Sequence, residues 1–306
     1  MTEGKTLAAD RLRSLTIERA AHPRGQAHVS AASGLVCRRG RAYVIADDEH
    51  HLAVFHDRAS PGSLHRIAAG DLPHGRKARK RRKPDFESLL WLPGAQRSAA
   101  DHLLALGSGS RPNRDGGLVI ELRRDGTPRP APRHFDLAAL YGPLRARLGE
   151  INIEGAFISA GQLVLLHRGL APHTQNMAVR YGLDDLHAAI AGQRTMVDPL
   201  SMQAYELGSI EGVVLGFTDG AALPDGSWVF TAVAEASESS YADGPCRGAA
   251  VGMVAANGTL LWLRHLTRAE KIEGMDVRTD ASGTVLFMVT DADDPEQPSW
   301  LLSARV

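Results

Sequence analysis

The sequence predicts an all-β fold, a single β-propeller of about five blades, with five favoured over six. Its apolar stretches are short and bounded by turns. One strand–turn–strand unit recurs at irregular intervals of roughly 55 to 65 residues. Helical periodicity is confined to 136–148 (DLAALYGPLRARL) and 182–190 (GLDDLHAAI), which predicts one or two short helical insertions and no βαβ units.

The units follow in order. The first, Ala32-Ser-Gly34-Leu-Val leading to Tyr43-Val-Ile-Ala-Asp47-Asp48, is degenerate and opens without an acid. The second opens at Lys83-Pro-Asp-Phe-Glu87-Ser-Leu-Leu and ends at Leu106-Gly-Ser. The third runs from Asn152-Ile-Glu154-Gly-Ala-Phe to Leu166-His-Arg, and the fourth from Phe217-Thr-Asp219-Gly-Ala-Ala-Leu to Ala234-Glu-Ala. The fifth runs from Lys271-Ile-Glu273-Gly-Met-Asp-Val to Thr290-Asp-Ala-Asp. Gly, Pro and Asn turns such as 124–127 (RDGT), 224–227 (PDGS) and 257–259 (NGT) separate the strands. A ring has no open sheet edge only if its ends are joined, so a strand within 11–18 is expected to complete the last blade beside 300–306. Residues 1–306 then form one domain.

Composition excludes several classes. Thirty-five Lys plus Arg balance 35 Asp plus Glu, leaving no overall field for nucleic acid or anionic lipid. Cys37 and Cys246 sit in no CxxC pair and cannot build a disulfide framework, so a reducing compartment is expected. The N-terminal segment has no secretory apolar core, and no run approaches the roughly 18 apolar residues of a membrane span. These features predict a cytoplasmic protein with no membrane partner.

If the units are blades, Glu87, Glu154, Asp219 and Glu273 face one tunnel. Converging carboxylates cannot all ionise unless a cation, a basic side chain or protonation relieves their repulsion. Well-separated solvated acids, a metal cage and Arg-paired acids forming a ligand pocket all remain open. Ca²⁺ is the ion that an all-oxygen cage suits. The strand tips would emerge on one rim. Segment 107–114 (GSGSRPNR) offers Arg111, Asn113 and Arg114 as an oxyanion or phosphate clamp, without the spacing or Lys of a P-loop. No nucleotide or organic cofactor is expected. His167-Arg168-Gly169, followed by Gln175-Asn176, adds donors, with His167 a candidate general acid or base. Segments 235–240 (EASESS) and 291–296 (DADDPE) supply further acids, Glu235 among them; the second lacks the Gly and Glu of an EF-hand loop. The run 76–83 (RKARKRRK) holds seven basic residues in eight and reads as a solvated loop that steers an anionic substrate or grips a protein partner. It has no aromatics or recognition helix nearby, so nucleic acid is not expected. The histidines are scattered, which argues against a His-rich metal site, and neither GxSxG nor HExxH occurs.

At 83–87 (KPDFE), 104–114 (LALGSGSRPNR), 217–226 (FTDGAALPDG) and 271–276 (KIEGMD) the chain resembles an uncharacterised bacterial propeller family, from about Ser33 onward. Through the acid–Gly motif it is more distantly similar to the esterase-like phytase and SdiA-regulated propeller families. The resemblance implies a propeller with acids at blade starts around a pocket, and hydrolysis of a phosphate or other ester with calcium. Only Glu154 and Glu273 keep the full Glu-Gly form; Glu87 is followed by Ser, Asp219 is one carbon shorter, and the first unit has no acid. A symmetric metal ring is therefore not implied. Phytate as substrate is not implied either, because no secretion signal precedes the motif.

The functional expectation is a propeller with an axial polar pocket that binds a small anionic ligand and acts on it as a metal-assisted phosphoester or ester hydrolase. Arg111, Arg114 and Arg168, with Asn113, Asn176 and Glu235, hold the ligand. Glu154 serves as base with His167 as second proton-transfer group, and Glu87, Glu154, Asp219 and Glu273 ligate the cation. The alternative is a non-catalytic interaction propeller that grips another protein through 76–83. Convergence of the acids and Arg groups within about 4–6 Å favours the pocket.

Overall fold

The computed structural model describes residues 6–92, 100–169, 175–236 and 244–306. Five antiparallel sheets stand around one axis as the blades of a propeller. Their innermost strands are Ala32–Arg38, Phe86–Leu92, Ile153–Ser159, Val213–Ala222 and Ile272–Asp280, each packed against the next and the last against the first. Blade 1 continues outward through Arg41–Ala46, His51–Phe55 and Ser63–Arg66. Blade 2 adds His102–Gly107, Gly116–Glu121 and Arg133–Asp136, and blade 3 adds Gln162–His167, Asn176–Gly182 and Ser201–Tyr205. Blade 4 adds Trp228–Glu235, Cys246–Val254 and Leu260–His265, with the two-residue strand Ser209–Ile210 on its inner strand's other edge. In blade 5, Gly283–Thr290 and Trp300–Arg305 are followed by Asp10–Ser14, so both ends of the chain share one sheet and no blade is left open between them.

Each sheet is apolar on both faces because each face meets a neighbouring blade. In blade 3 the period of two is explicit: Leu163 and Leu165 pack toward blade 2, while Val164 and Leu166 pack toward blade 4. Five separate cores result, one per blade interface. The most aromatic lies between blades 3 and 4, where the fully buried Trp228 has Phe157, Tyr205, Phe217 and Phe230 around it at centroid separations of 5.5–6.2 Å.

Helices form at Arg76–Arg82, Ala138–Leu148 and Leu183–Ile190. The second and third match the periodic segments and cover the core between blades 2 and 3 with Leu140, Tyr141, Leu144, Leu186 and Ile190. Pro143 has no N–H to offer the carbonyl of Ala139, and the backbone N of Val197 donates to it instead at 2.9 Å. The first helix corrects the reading of 76–83 as a solvated loop. Its Arg79 is buried, and Arg114 Nη2 donates to the carbonyl of Lys80 at 3.1 Å, so the basic run is clamped from two sides. Lys77, Arg81 and Arg82 stay exposed. No helix among the described residues is long and apolar enough to cross a membrane.

Every inner strand carries one register shift against its neighbour, at Ser33, Glu87, Glu154, Thr218 and Glu273. A bulge leaves one residue unpaired and re-aims its side chain. The residue after it is Gly34 in blade 1, Gly155 in blade 3 and Gly274 in blade 5. A Cβ on Gly155 would lie 2.7 Å from Asp219 Cα, and one on Gly274 would lie 2.9 Å from Gly34 Cα. The Glu-Gly motif thus joins a bulged acid to the point where inner strands approach too closely for a side chain.

Candidate functional site

The bulge positions and the strand tips beside them meet at one end of the tunnel. Two residues ahead of the bulges stand Ala31, Asp85, Asn152, Gly216 and Lys271. Opposite them are Asp47, Ser108, Arg168, Val233 and Asp291. Four of these pairs are closed by a backbone hydrogen bond from the tip, 2.9–3.2 Å long. The mouth thus carries acids from blades 1 and 2, a cation from blade 3 and one of each from blade 5, whereas in blade 4 Gly216 and Val233 are apolar.

That apolar gap has a use. The side chain of Arg168 crosses blade 4 against Gly216, where a Cβ would come within 2.8 Å of Arg168 Cγ and Nε. It reaches Glu235 two residues further along the strand, with Nη2 3.0 Å from Oε2. Lys271 lies 3.2 Å from Glu273, 2.8 Å from Asp293, 3.9 Å from Glu235 and 4.0 Å from Asp291. On the opposite side Lys83 contacts Asp47 and lies 2.8 Å from Asp85 Oδ1, while Arg114 Nη1 is 2.7 Å from Asp85 Oδ2. Ser108 Oγ also donates to Asp85.

Glu87, Glu154 and Glu273 lie in this frame, close enough to repel one another. Burial and then the charge of Asp85 and Glu154 push Glu87 well above the usual carboxylate range. Burial raises Glu154 to about 7 against the pull of Arg168, with Glu273 adding repulsion. Asn152 Nδ2 donates to Glu154 Oε1. Glu273 is raised by burial against the opposing pull of Lys271 and Arg168, and Asp291 is raised by burial to about 7. Glu87 makes no side-chain hydrogen bond or ion pair among the described residues. Oxygen atoms of Asp47, Asp85 and Glu87 lie within 4.8 Å of one another, a donor set able to hold a metal ion, although Lys83 already stands against two of the three.

The other predicted residues divide. Arg114 and Arg168 reach the mouth, both engaged by acids. Glu235 joins it through Arg168 and accepts from the backbone N of Gly244 at 3.0 Å; residues 237–240 of segment 235–240 lie outside the described residues. Asn176 is scaffold: its Oδ1 accepts from Gly169 N and Phe217 N, and its Nδ2 donates to Leu215 O. His167 is fully buried, its Nδ1 accepts from Asn152 N at 3.0 Å, and burial lowers it to about 4. Among the described residues it bonds to none of the acids. Arg111 is half-buried and Asn113 exposed on the short 3₁₀ turn Pro112–Arg114.

Asp219 is a correction to the expected ring of acids. The bulged residue of blade 4 is Thr218, whose Oγ1 donates to Thr231 Oγ1 at 2.9 Å, and Asp219 takes the place that Gly155 and Gly274 hold in their blades. Its carboxylate accepts from Gly220 N and Met275 N, both at 2.8 Å, tying the inner strands of blades 4 and 5 together. One register step turns a candidate metal ligand into a brace. The unforeseen members of the mouth are Lys83, Asp85 and Lys271. Asp85 and Lys271 precede a bulged acid by two residues, the strand period that shares a face, and this spacing was the available signal.

A ring of five sheets with paired acids and bases at one tunnel mouth defines the chain as a five-bladed β-propeller. The chain belongs to the family of unknown function DUF6929, whose profile matches residues 28–306. Among solved structures it is similar to the glutaminyl cyclase of Myxococcus xanthus, with 12% identity, a TM-score of 0.50 and coverage of 99% of this chain and 100% of that one. It is also similar to a glycoside hydrolase family 43 arabinoxylan arabinofuranohydrolase from Bacillus subtilis, with 11% identity, a TM-score of 0.53 and coverage of 94% and 66%. At these identities the likeness is one of fold. No curated protein matches the sequence significantly.

Proposed function

We propose that the tunnel mouth is a ligand-binding and hydrolytic centre for a small ester, with a divalent cation accompanying an anionic substrate. The observation that supports this is the convergence of Glu87, Glu154 and Glu273 from three blades, with Glu87 making no side-chain hydrogen bond or ion pair among the described residues. Hydrolysis near neutral pH needs a group that exchanges its proton there, and Glu154 at about 7 meets that requirement. In its ionised form Glu154 takes the proton of a water that attacks the ester and returns it to the alkoxide as the bond to the leaving alcohol breaks, while Asn152 fixes one carboxylate oxygen by donating to Oε1.

Charge sets the form of the substrate. Eight carboxylates (Asp47, Asp85, Glu87, Glu154, Glu235, Glu273, Asp291 and Asp293) share the mouth with four cations (Lys83, Arg114, Arg168 and Lys271). Where these acids are ionised the mouth repels a free anion and admits an uncharged ester or an anion entering with a cation; where burial keeps them protonated the four cations balance the remaining charge. Glu87, with Glu154 and Glu273, would hold the cation, and Ca²⁺ suits those oxygen ligands. The bound ion would polarise the ester oxygen. Arg168 and Arg114 orient the acids that they already contact.

The test is a thermal-shift series on chelator-stripped protein with Ca²⁺ and Mg²⁺, followed by aryl phosphates and aryl carboxylic esters. A rise in melting temperature with Ca²⁺, lost in Glu87→Gln, and turnover lost in Glu154→Gln are expected. No cation response and no turnover of any ester would overturn the proposal. The rival reading, an interaction propeller, draws on the exposed Lys77, Arg81 and Arg82. A protein pull-down that depends on those residues and ignores Glu87 would favour it.

A further inference from the structure

We infer a second ligand site, on the flank of blade 1, that takes a small molecule carrying two phosphate groups. A cavity of about 340 Å³ opens between the 20–24 segment, blade 1 and the start of the basic helix. Its size lies at the lower end of small-molecule pockets, roughly 300–1,000 Å³, and exceeds what a lone phosphate fills. Three arginines (Arg24, Arg66 and Arg79) line it together with His22, His50, His51 and His74, against Glu49 and Asp71. Histidines that are scattered in sequence are thus gathered in one place.

The floor is preset. Glu49 Oε1 lies 2.7 Å from Arg24 Nη2 and 2.9 Å from Arg79 Nη2, Asp48 Oδ2 lies 3.3 Å from Arg24 Nη2 and from Arg79 Nε, and Arg79 Nη1 donates to the Pro73 carbonyl, so both guanidiniums are fixed in place. Among the described residues Arg24 Nε is buried without a hydrogen-bond partner, and His51 Nδ1 makes no hydrogen bond and stands 3.9 Å from Glu49 Oε2. Buried donors left unpaired are costly and mark a place where an acceptor belongs. At the rim, Arg66 pairs with Asp71, whose side chain is 83% exposed, so this contact exchanges readily for a stronger acceptor. His50 and His74 stand beside it. Behind the cavity, the helix that supplies Arg79 presents Lys77, Arg81 and Arg82 to solvent. The field of this run is positive although the whole chain is neutral. Phosphate oxygens match forked guanidinium donors, and two phosphates span floor and rim.

The experiment is titration calorimetry of the full chain with inorganic phosphate, pyrophosphate and a short single-stranded RNA. Pyrophosphate is expected to bind more tightly than phosphate, and Arg66→Gln combined with His74→Gln to weaken it about tenfold or more. Both substituted residues sit at the rim, so the fold persists; Glu154→Gln in the tunnel mouth should leave pyrophosphate binding unchanged. Absence of pyrophosphate binding, or binding undiminished in the rim variant, would overturn the inference. So would RNA binding that pyrophosphate does not compete, which would assign the surface to nucleic acid.

Discussion

Two buried charge clusters flank the helix Arg76–Arg82, and the same burial ends in opposite ionisation. On one side Lys83 faces Asp47 and Asp85 in the tunnel mouth; on the other Arg79 faces Asp48 and Glu49. The acids 47–49 are consecutive, so adjacent residues of one chain serve two different sites. In the mouth, carboxylates outnumber cations, and Glu154 and Asp291 are raised to about 7. Beside the helix, burial also opposes the charge of Glu49, but His51, Arg24, Arg79 and His22 outweigh it and hold the group near 2. Asp48, with one oxygen buried and unpartnered, is raised by burial despite Arg24. Asp48 and Glu49 share both arginines, so the closeness of the contacts, and not the local count of charges alone, decides which acid keeps its proton.

The sharpest break in this comparison comes from removing one cation. Arg79→Ala leaves Glu49 and Asp48 buried with a single guanidinium, and loss of one partner of a buried pair costs about 3–5 kcal/mol. Arg81→Ala, two residues away on the exposed face, should fall within about 0.5 kcal/mol of the wild type. Denaturant unfolding of both variants checks this. Equal effects would mean that the helix is not clamped by Arg79.

Next in size is the contrast between Asp219 and Glu154. Asp219→Ala strips the acceptor from Gly220 N and Met275 N, two buried donors, and should destabilise by about 2–4 kcal/mol. Gly155→Ala forces a Cβ to 2.7 Å from Asp219 Cα, an overpacking cost of about 1–3 kcal/mol. Calorimetric melting of both against Glu154→Gln separates brace from site: the first two should melt lower, and the third should keep its stability while losing function.

The propeller was legible because strand length, turn chemistry and the repeated acid are local features. Glu87, Glu154 and Glu273 were legible as a set for the same reason. Register was not. Nothing local separates Asp219 from Glu154, since whether the bulge falls on the acid or on the preceding Thr218 depends on pairing with the next strand. The helix at 76–82 was missed because its one buried residue, Arg79, is held by the acids Asp48 and Glu49, and a hydrophobic period cannot detect an ionic face. The cavity of four histidines unites residues 22 to 74 across three elements, which no spacing rule joins.

The smallest predicted effect tests the two clusters together through pH. For Glu154 the folded value of about 7 lies above the ordinary 4.5, so the folded state binds the proton more tightly. Its contribution is present at low pH and is lost as pH rises from about 4.5 through 7; Asp291, raised from 3.8 to about 7, acts in the same direction. Glu49 has the opposite sign. With a folded value of about 2 against 4.5, its stabilisation is present above 4.5 and is lost as pH falls toward 2. Melting curves between pH 3 and 8 should therefore decline at both ends. Glu154→Gln should flatten the decline between about pH 4.5 and 7 and leave the acid limb intact, and Glu49→Gln should reduce the acid limb alone. An unchanged alkaline limb in Glu154→Gln would mean that the mouth is hydrated well enough to keep this glutamate ionised, and with it the proton-transfer role of Glu154 would fall.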